Sequence, residues 1–217
     1  MLLKVTAKLK TGELVTNDGL IHLDGILCHA WCVINAPHLL EVDYDEDNTI
    51  DIKLPIIKIN DWYKVSFAFF EILNKGLKYF HKKFDPNYAE KYIDFGKKSG
   101  LINIKSDKYK NYRVPLLKIL TNKVYWYCDG DKDEIEKLLG QITHIGKKTS
   151  QGFGEVLEWI VEDTKEDLTM IRAIPKKGGR IYTSYKPPYF YYKNFKECDL
   201  PYDSRLGRYQ IFNQTRV

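Results

Sequence analysis

The segment over residues 138–159 most constrains the fold, because it places three glycines between a predicted helix and a predicted strand. Gly146, Gly152 and Gly154 permit positive φ angles and close backbone approach, so their main-chain N–H groups can surround a phosphate. The residues between them add two cations and three polar side chains that can bind a phosphate or a 2′-hydroxyl. The segment therefore predicts a loop that binds a phosphate backbone, with a structural glycine-rich hairpin as the alternative. Its members are Gly146, Lys147, Lys148, Thr149, Ser150, Gln151, Gly152, Phe153 and Gly154.

This loop fits neither of the two common glycine patterns that bind nucleotides. A P-loop needs glycine followed by lysine and then serine or threonine, whereas Gly152 is followed by Phe153. The dinucleotide-binding pattern Gly-x-Gly-x-x-Gly leads into a helix, whereas this loop leads into a predicted strand. We therefore expect no nucleotide cofactor.

Hydrophobic periodicity on both sides of the loop predicts alternating strands and helices. Residues 2–9 alternate as a strand does, and residues 23–34 and 133–139 repeat apolar side chains at helical spacing. This order predicts an α+β fold with an antiparallel sheet and helices on one face. Further strands are predicted at residues 50–55, 62–70, 101–104, 116–120, 124–128 and 156–161.

The chain after the last predicted strand is loop-rich and aromatic, but no shift in composition marks a linker. We therefore expect a core over residues 1–161, which includes the glycine loop at 146–154. A C-terminal elaboration, basic and aromatic, is expected over residues 162–217.

Charge is segregated along the chain, which has a net charge of +5 and 14% aromatic residues. Residues 75–123 hold 13 lysines and arginines against four acids, and residues 172–193 hold six against none. Basic segments interleaved with aromatics are typical of surfaces that neutralise phosphates and stack bases. Residues 182–192 include two prolines without alternation, which favours a loop that docks RNA or protein over a central strand. The predicted phosphate contacts outside the glycine loop are Lys108, Lys110, Arg113, Arg172, Lys176, Lys177 and Arg180.

Membrane, secreted and disordered classes do not fit this sequence. No apolar run approaches the roughly 20 residues that cross a bilayer, and the first ten residues lack a long apolar stretch. Four cysteines in 217 residues fit reduced thiols better than a disulfide framework. We therefore expect a cytoplasmic protein without a membrane partner.

No metal site is predicted. Cys28 and Cys32 lie one helical turn apart, but a structural zinc site usually shows two such pairs. An acidic cluster fits an exposed loop, or a docking patch for a basic subunit, better than a divalent-cation site. The members of this cluster are Asp43, Asp45, Glu46 and Asp47.

The glycine loop and three further regions resemble the RAMP superfamily of CRISPR-associated proteins. The loop signature is Ile-Gly-Lys-Lys-Thr-Ser-Gln-Gly-Phe-Gly-Glu-Val over residues 145–156. The other regions are similar to the small subunit of type IV CRISPR complexes that holds the 5′ handle of the guide RNA. They lie in order along nearly the whole chain. The first is residues 21–27, the second is residues 109–115, and the third comprises residues 172–175, 187–190 and 198–201.

The resemblance implies a ferredoxin-like (RRM-like) fold in a prokaryotic ribonucleoprotein complex. It implies a non-catalytic subunit that grips the 5′ handle of the guide RNA and caps the subunit filament. Partners would be the guide RNA and the backbone and large subunits, with the target nucleic acid bound indirectly through guide pairing. Type III relatives are similar, so the resemblance leaves the type open. A pure assembly protein, whose basic face is incidental, is a further alternative.

The alternative enzymatic function is a metal-independent endoribonuclease that processes precursor RNA. Such cleavage needs a base for the 2′-hydroxyl and a cation for the developing charge. His144 lies two residues before Gly146, and His22 opens the first predicted helix. We expect His22 to pack and His144 to end a helix or contact RNA, so no catalytic residue is assigned.

Overall fold

The computed structural model describes residues 1–40, 52–89, 91–92, 105 and 109–200. Ten strands lie in this part of the chain, and the longest of them, β6, has 18 residues. The strands are β1 (Leu2–Leu9), β2 (Glu13–Thr16), β3 (Lys58–Ile59), β4 (Trp62–Tyr63), β5 (Phe69–Lys82), β6 (Tyr112–Asp129), β7 (Val156–Asp163), β8 (Ile174–Pro175), β9 (Ile181–Ser184) and β10 (Phe195–Asp199). The α-helices are α1 (Leu23–Asn35), α2 (Pro86–Ala89) and α3 (Lys132–Leu139).

The main sheet has the strand order β5-β6-β1-β7, and every neighbouring pair is antiparallel. Strand β2 continues alongside β6 beyond the end of β1, since Lys8 pairs with Lys123 and Glu13 with Leu120. Helix α1 connects β1 to the β5 side, and α3 connects β6 to β7. This β-α-β-β-α-β order is that of a ferredoxin-like fold, so the predicted α+β class is confirmed.

The main core lies between the sheet and the two longer helices. Leu3, Val5 and Ala7 of β1 alternate toward this side and are fully buried. They share one apolar cluster with residues of both helices, which places α1 and α3 on the same face of the sheet. The helix residues in this cluster are Leu23, Leu27, Ala30, Ile135, Leu138 and Leu139.

The C-terminal residues cover part of the opposite face of the sheet. Strands β8, β10 and β9 form a small antiparallel sheet in that order. Cys198 and Tyr185 from this region pack with Tyr127 of β6, whose neighbour Cys128 faces the helices instead. A second apolar cluster therefore joins the C-terminal region to the sheet. The boundary at residue 161 stays a prediction.

The structure corrects two strand predictions. Of the strand predicted at 50–55, residues 50 and 51 lie outside the described part of the chain, and residues 52–54 are not a strand. Leu54 and Ile56, two positions apart, both pack into the core, and each is 5% exposed. Residues 62–70 do not form one strand either, since β4 ends at Tyr63 and β5 begins at Phe69.

The strands of the β5–β6 hairpin are longer than those predicted from the sequence. The predicted strands at 116–120 and 124–128 are one continuous strand, β6. Strand β5 runs on through the lysine-rich residues to Lys82, where its main chain still pairs with that of β6 at Tyr112. The predicted strand at 101–104, the acidic cluster at 43–47 and Lys108 lie outside the described residues.

Candidate nucleic-acid interface

Close contact with neighbouring carbonyl groups requires glycine at two positions of the loop. Gly146 has φ +82°, and a Cβ atom there would lie 2.6 Å from the Val15 carbonyl oxygen. Gly154 has φ +70°, and its Cβ atom would lie 1.9 Å from the Ile145 carbonyl oxygen. Gly152 shares the positive φ, but a Cβ atom there meets nothing within 4 Å. The loop is thus held tightly at its two ends.

Four main-chain amides of the loop donate hydrogen bonds within the protein, which limits the predicted contact between the loop backbone and a phosphate. The Lys147 N–H donates to the Val15 carbonyl at 2.7 Å, and the Gly154 N–H donates to the Glu13 carbonyl at 2.8 Å. The N–H groups of Gln151 and Gly152 donate to carbonyls within the loop. These four amides therefore stabilise the loop rather than bind an anion, and contact between a phosphate and the other main-chain amides of the loop stays a prediction.

Phe153 fastens the loop to the hairpin of β5 and β6. It is 6% exposed and packs with Val15, Phe80 and Leu116, so its ring serves packing rather than contact with RNA. Val15 and Leu116 lie next to residues that face the helices, so this cluster is on the opposite side of the sheet.

Lysines from the loop and the hairpin converge on these rings. The Lys78 Nζ atom lies 4.4 Å from the centre of the Phe153 ring, and the Lys148 Nζ atom lies 5.0 Å from that of Phe80. Lys82 shares the strand face of Lys78 because the two are four residues apart in β5. We call Lys78, Lys82, Lys148 and the adjacent loop residue Lys147 the basic strip; Lys147 also lines the groove described next. The sequence analysis did not single out Lys78 and Lys82. Their positions two residues before and two residues after Phe80, on one face of a strand, were a usable signal.

A groove of about 870 Å³ lies beside the loop. Three segments that are distant in sequence form its walls: residues 16–29, which include the start of α1, residues 141–149 and residues 183–195. The groove brings His144 together with Lys147 and Thr149 of the loop and with Phe190 of the C-terminal region. No sequence pattern indicated this groove.

A buried polar network holds the C-terminal wall of the groove. The Tyr189 hydroxyl donates to Asp24, with its oxygen 2.7 Å from Oδ1, and Asp24 is fully buried. Arg172 is 1% exposed, and its guanidinium pairs with Asp24 at 3.4 Å and donates to the Tyr63 carbonyl at 2.5 Å. Arg172 was predicted to contact phosphate, but this position makes it a structural cation.

Burial sets the charge states in this network. Burial disfavours a charged Arg172, yet Asp24 and Tyr189 raise the pKa of its guanidinium, so it stays protonated. Burial and Asp24 raise the pKa of Tyr189 well above its usual value, so its phenol stays neutral. The charges of Asp24 and Arg172 therefore offset each other within the protein.

His22 forms part of the same wall and is unsuited to catalysis. Its ring stacks on that of Tyr189, with centroids 3.6 Å apart, and meets Phe67 edge-on. Burial, with a smaller effect of Arg172, lowers the pKa of His22 to about 3. A base with this pKa is largely ineffective near neutral pH. The geometry thus supports packing for His22, whereas His144 lies in the groove with Nδ1 3.0 Å from the Thr143 hydroxyl.

The other predicted cations among the described residues lie on exposed surface. Arg113 stacks over Tyr79, with its guanidinium carbon 3.9 Å from the ring centre. Lys176 pairs with Asp199 at 2.6 Å, which engages part of its charge. The remaining exposed members are Lys110, Lys177 and Arg180.

The four cysteines are free thiols, and three of them are buried. Burial raises the pKa of Cys28 and of Cys128 to about 12, so both stay protonated. Within the described ranges, no group of three or more His, Cys, Asp or Glu side chains could hold a metal ion. In the same ranges, no helix has the length and apolar character needed to span a membrane.

Comparison with known proteins adds a family to this geometry. Residues 2–201 match the model of a family described as CRISPR type IV associated protein Csf3. No curated protein matches the chain. The family match covers β1 to β10, and with them the glycine loop, the basic strip and the groove.

Proposed function

The chain belongs to the Csf3 family of CRISPR type IV associated proteins, and from this premise we propose that it is the subunit that holds guide RNA. In this proposal it grips the 5′ handle, caps the subunit filament and has no catalytic role. The guide RNA and the backbone and large subunits are its partners, in the cytoplasm of a prokaryote. Recognition of the target then rests with guide pairing, not with this chain.

The observation that carries the proposal is the fixed position of the basic strip. Lys78 and Lys148 lie over aromatic rings that are themselves packed in an apolar cluster. The loop backbone beneath them is bound to the main-chain carbonyls of β2. Cations held in place on a rigid surface lose little conformational entropy when they bind phosphates, which favours a grip on a nucleic-acid backbone.

Membership of a CRISPR family also favours RNA over other polyanions as the ligand. Lys78 and Lys148 of the strip lie on the sheet face away from α1 and α3, and Lys147 lines a groove that offers hydroxyl and amide side chains. Single-stranded RNA is recognised by this combination of backbone charge, polar contacts and exposed rings. The polar side chains predicted for the loop, Thr149, Ser150 and Gln151, supply contacts to the phosphate or 2′-hydroxyl.

The test of the proposal starts from the purified full chain, prepared without nuclease, and from the sequence of any RNA bound to it. The chain is then incubated with a precursor repeat RNA in EDTA. The proposal predicts bound repeat-derived RNA that stays intact. Absence of such RNA, together with retention of partner proteins, would favour a pure assembly role.

The same incubation tests the ribonuclease alternative. In the groove, His144 lies among the same lining residues as Lys147, which would supply a base and a cation. Cleavage at one fixed phosphate, lost in His144→Ala and retained in His22→Phe, would replace the proposed role with this one.

A further inference from the structure

The groove beside the glycine loop differs in chemistry from the basic strip. Lys147 is the one lysine or arginine among the described residues that line it. The carboxylate in the lining of the groove, that of Asp18, already accepts a hydrogen bond from the Leu20 N–H at 2.9 Å. The rest of the lining includes neutral hydrogen-bonding side chains such as Asn17, Gln141 and Thr143. A site built to bind phosphates would concentrate cations, which this groove does not do.

The C-terminal wall of the groove presents flat rings. Phe190 lines the groove, and its side chain is 75% exposed, so much of the surface of its ring is open to a ligand. Behind it, His22 and Tyr189 are stacked and held by the contact of Tyr189 with Asp24. Because both of these rings are neutral, the wall offers stacking surface without charge.

We propose that this groove binds an unstacked nucleobase of the RNA, with Phe190 as the stacking surface and Asn17 and Gln141 as readers of the base edge. Side-chain amides donate and accept hydrogen bonds, which suits the edges of bases. The volume of about 870 Å³ accommodates a base with its sugar. This inference rests on the proposed function, and it assigns sequence preference to the groove and backbone affinity to the strip.

The test compares two RNA probes of equal length, an octa-adenylate and an all-abasic octamer with the same phosphates. The ratio of their dissociation constants measures what the bases contribute, independently of the phosphates. For the wild-type full chain we expect a ratio of about tenfold or more, as for one good stacking contact. Phe190→Ala should bring the ratio to within about threefold while the salt dependence of binding is kept.

Tyr192→Ala is the matched control. Tyr192 is 68% exposed and lies two residues from Phe190, but it is not among the residues that line the groove. Its loss should leave the ratio unchanged. Phe190→Trp, which keeps an aromatic surface, should restore the wild-type ratio, and Phe190→Leu should not.

The outcomes separate this inference from the proposed function. A wild-type ratio near one, with both probes bound, overturns the groove as a base site and leaves the backbone grip intact. An equal loss in Phe190→Ala and Tyr192→Ala overturns it as well. Failure of the wild-type chain to bind either probe overturns both. A melting temperature shared by Phe190→Ala and the wild type shows that a lost ratio is not lost folding.

Discussion

The glycine loop was predicted to bind RNA, and the C-terminal segment at residues 182–192 was predicted to dock RNA or protein, yet the structure builds them differently. The loop is fixed by main-chain hydrogen bonds and presents its lysines outward. The C-terminal segment turns Tyr189 inward to the buried pair of Asp24 and Arg172 and also buries Tyr185, while it leaves Phe190 and Tyr192 exposed. A basic and aromatic composition therefore identifies a region, but not which of its side chains meet a ligand.

The largest expected effect is on stability, when the buried pair behind the C-terminal segment loses its arginine. Arg172→Ala leaves Asp24 buried and unpaired, which should lower the free energy of unfolding by about 3–5 kcal/mol. Thermal or urea denaturation measures this loss. Lys177→Ala, at an exposed lysine five residues away, should change stability by less than about 0.5 kcal/mol. Equal effects of the two variants would contradict a structural role for Arg172.

A second pair of variants tests which glycines the loop requires. Gly154→Ala drives a Cβ atom into the Ile145 carbonyl oxygen, in addition to the positive φ, and should cost about 3 kcal/mol or more. Gly152→Ala meets open space and should cost only the left-handed backbone strain, about 1 kcal/mol. Denaturation midpoints of the two variants give the comparison. The reverse order would contradict the geometry of the loop ends.

His22 makes the C-terminal wall sensitive to pH. Its folded pKa of about 3 lies below the unfolded value of 6.5, so the unfolded state takes up a proton first as the pH falls. Stability attributable to His22 is complete above pH 6.5 and should fall by up to about 1.4 kcal/mol per pH unit below it.

Unfolding measured at pH 7.0 and pH 5.5 checks this slope. His22→Phe keeps a ring against Tyr189 but cannot titrate, so its stability should change less between these two values. Asp61 and Asp129 have pKa values below 3.8 and titrate outside this range. Identical slopes for His22→Phe and the wild type would remove His22 as the cause.

Local patterns predicted much of the fold. The bounds of β1 were predicted in full, and those of α1 and α3 to within one residue, because each element has its own periodicity and α3 is capped by Asp131. Residues 71–82 of β5 were missed, since this edge strand is exposed along most of its length and lacks strong apolar alternation.

The candidate site was less predictable than the fold. The glycine loop was recognised from its sequence, but the burial of Arg172 depends on Asp24, which lies 148 positions away. The groove joins three distant segments, so only the tertiary structure reveals it.

The most direct test of the central claim is the salt dependence of RNA binding in Lys147→Ala/Lys148→Ala. Lys132→Ala/Lys137→Ala is the control, because it removes the same charge from α3 on the other face of the sheet. The loop variant should weaken binding by about tenfold and lower the slope of log affinity against log salt by about 1.4, while the control changes little. Equal changes in both variants, or an unchanged slope in the loop variant, would contradict a backbone grip by the glycine loop.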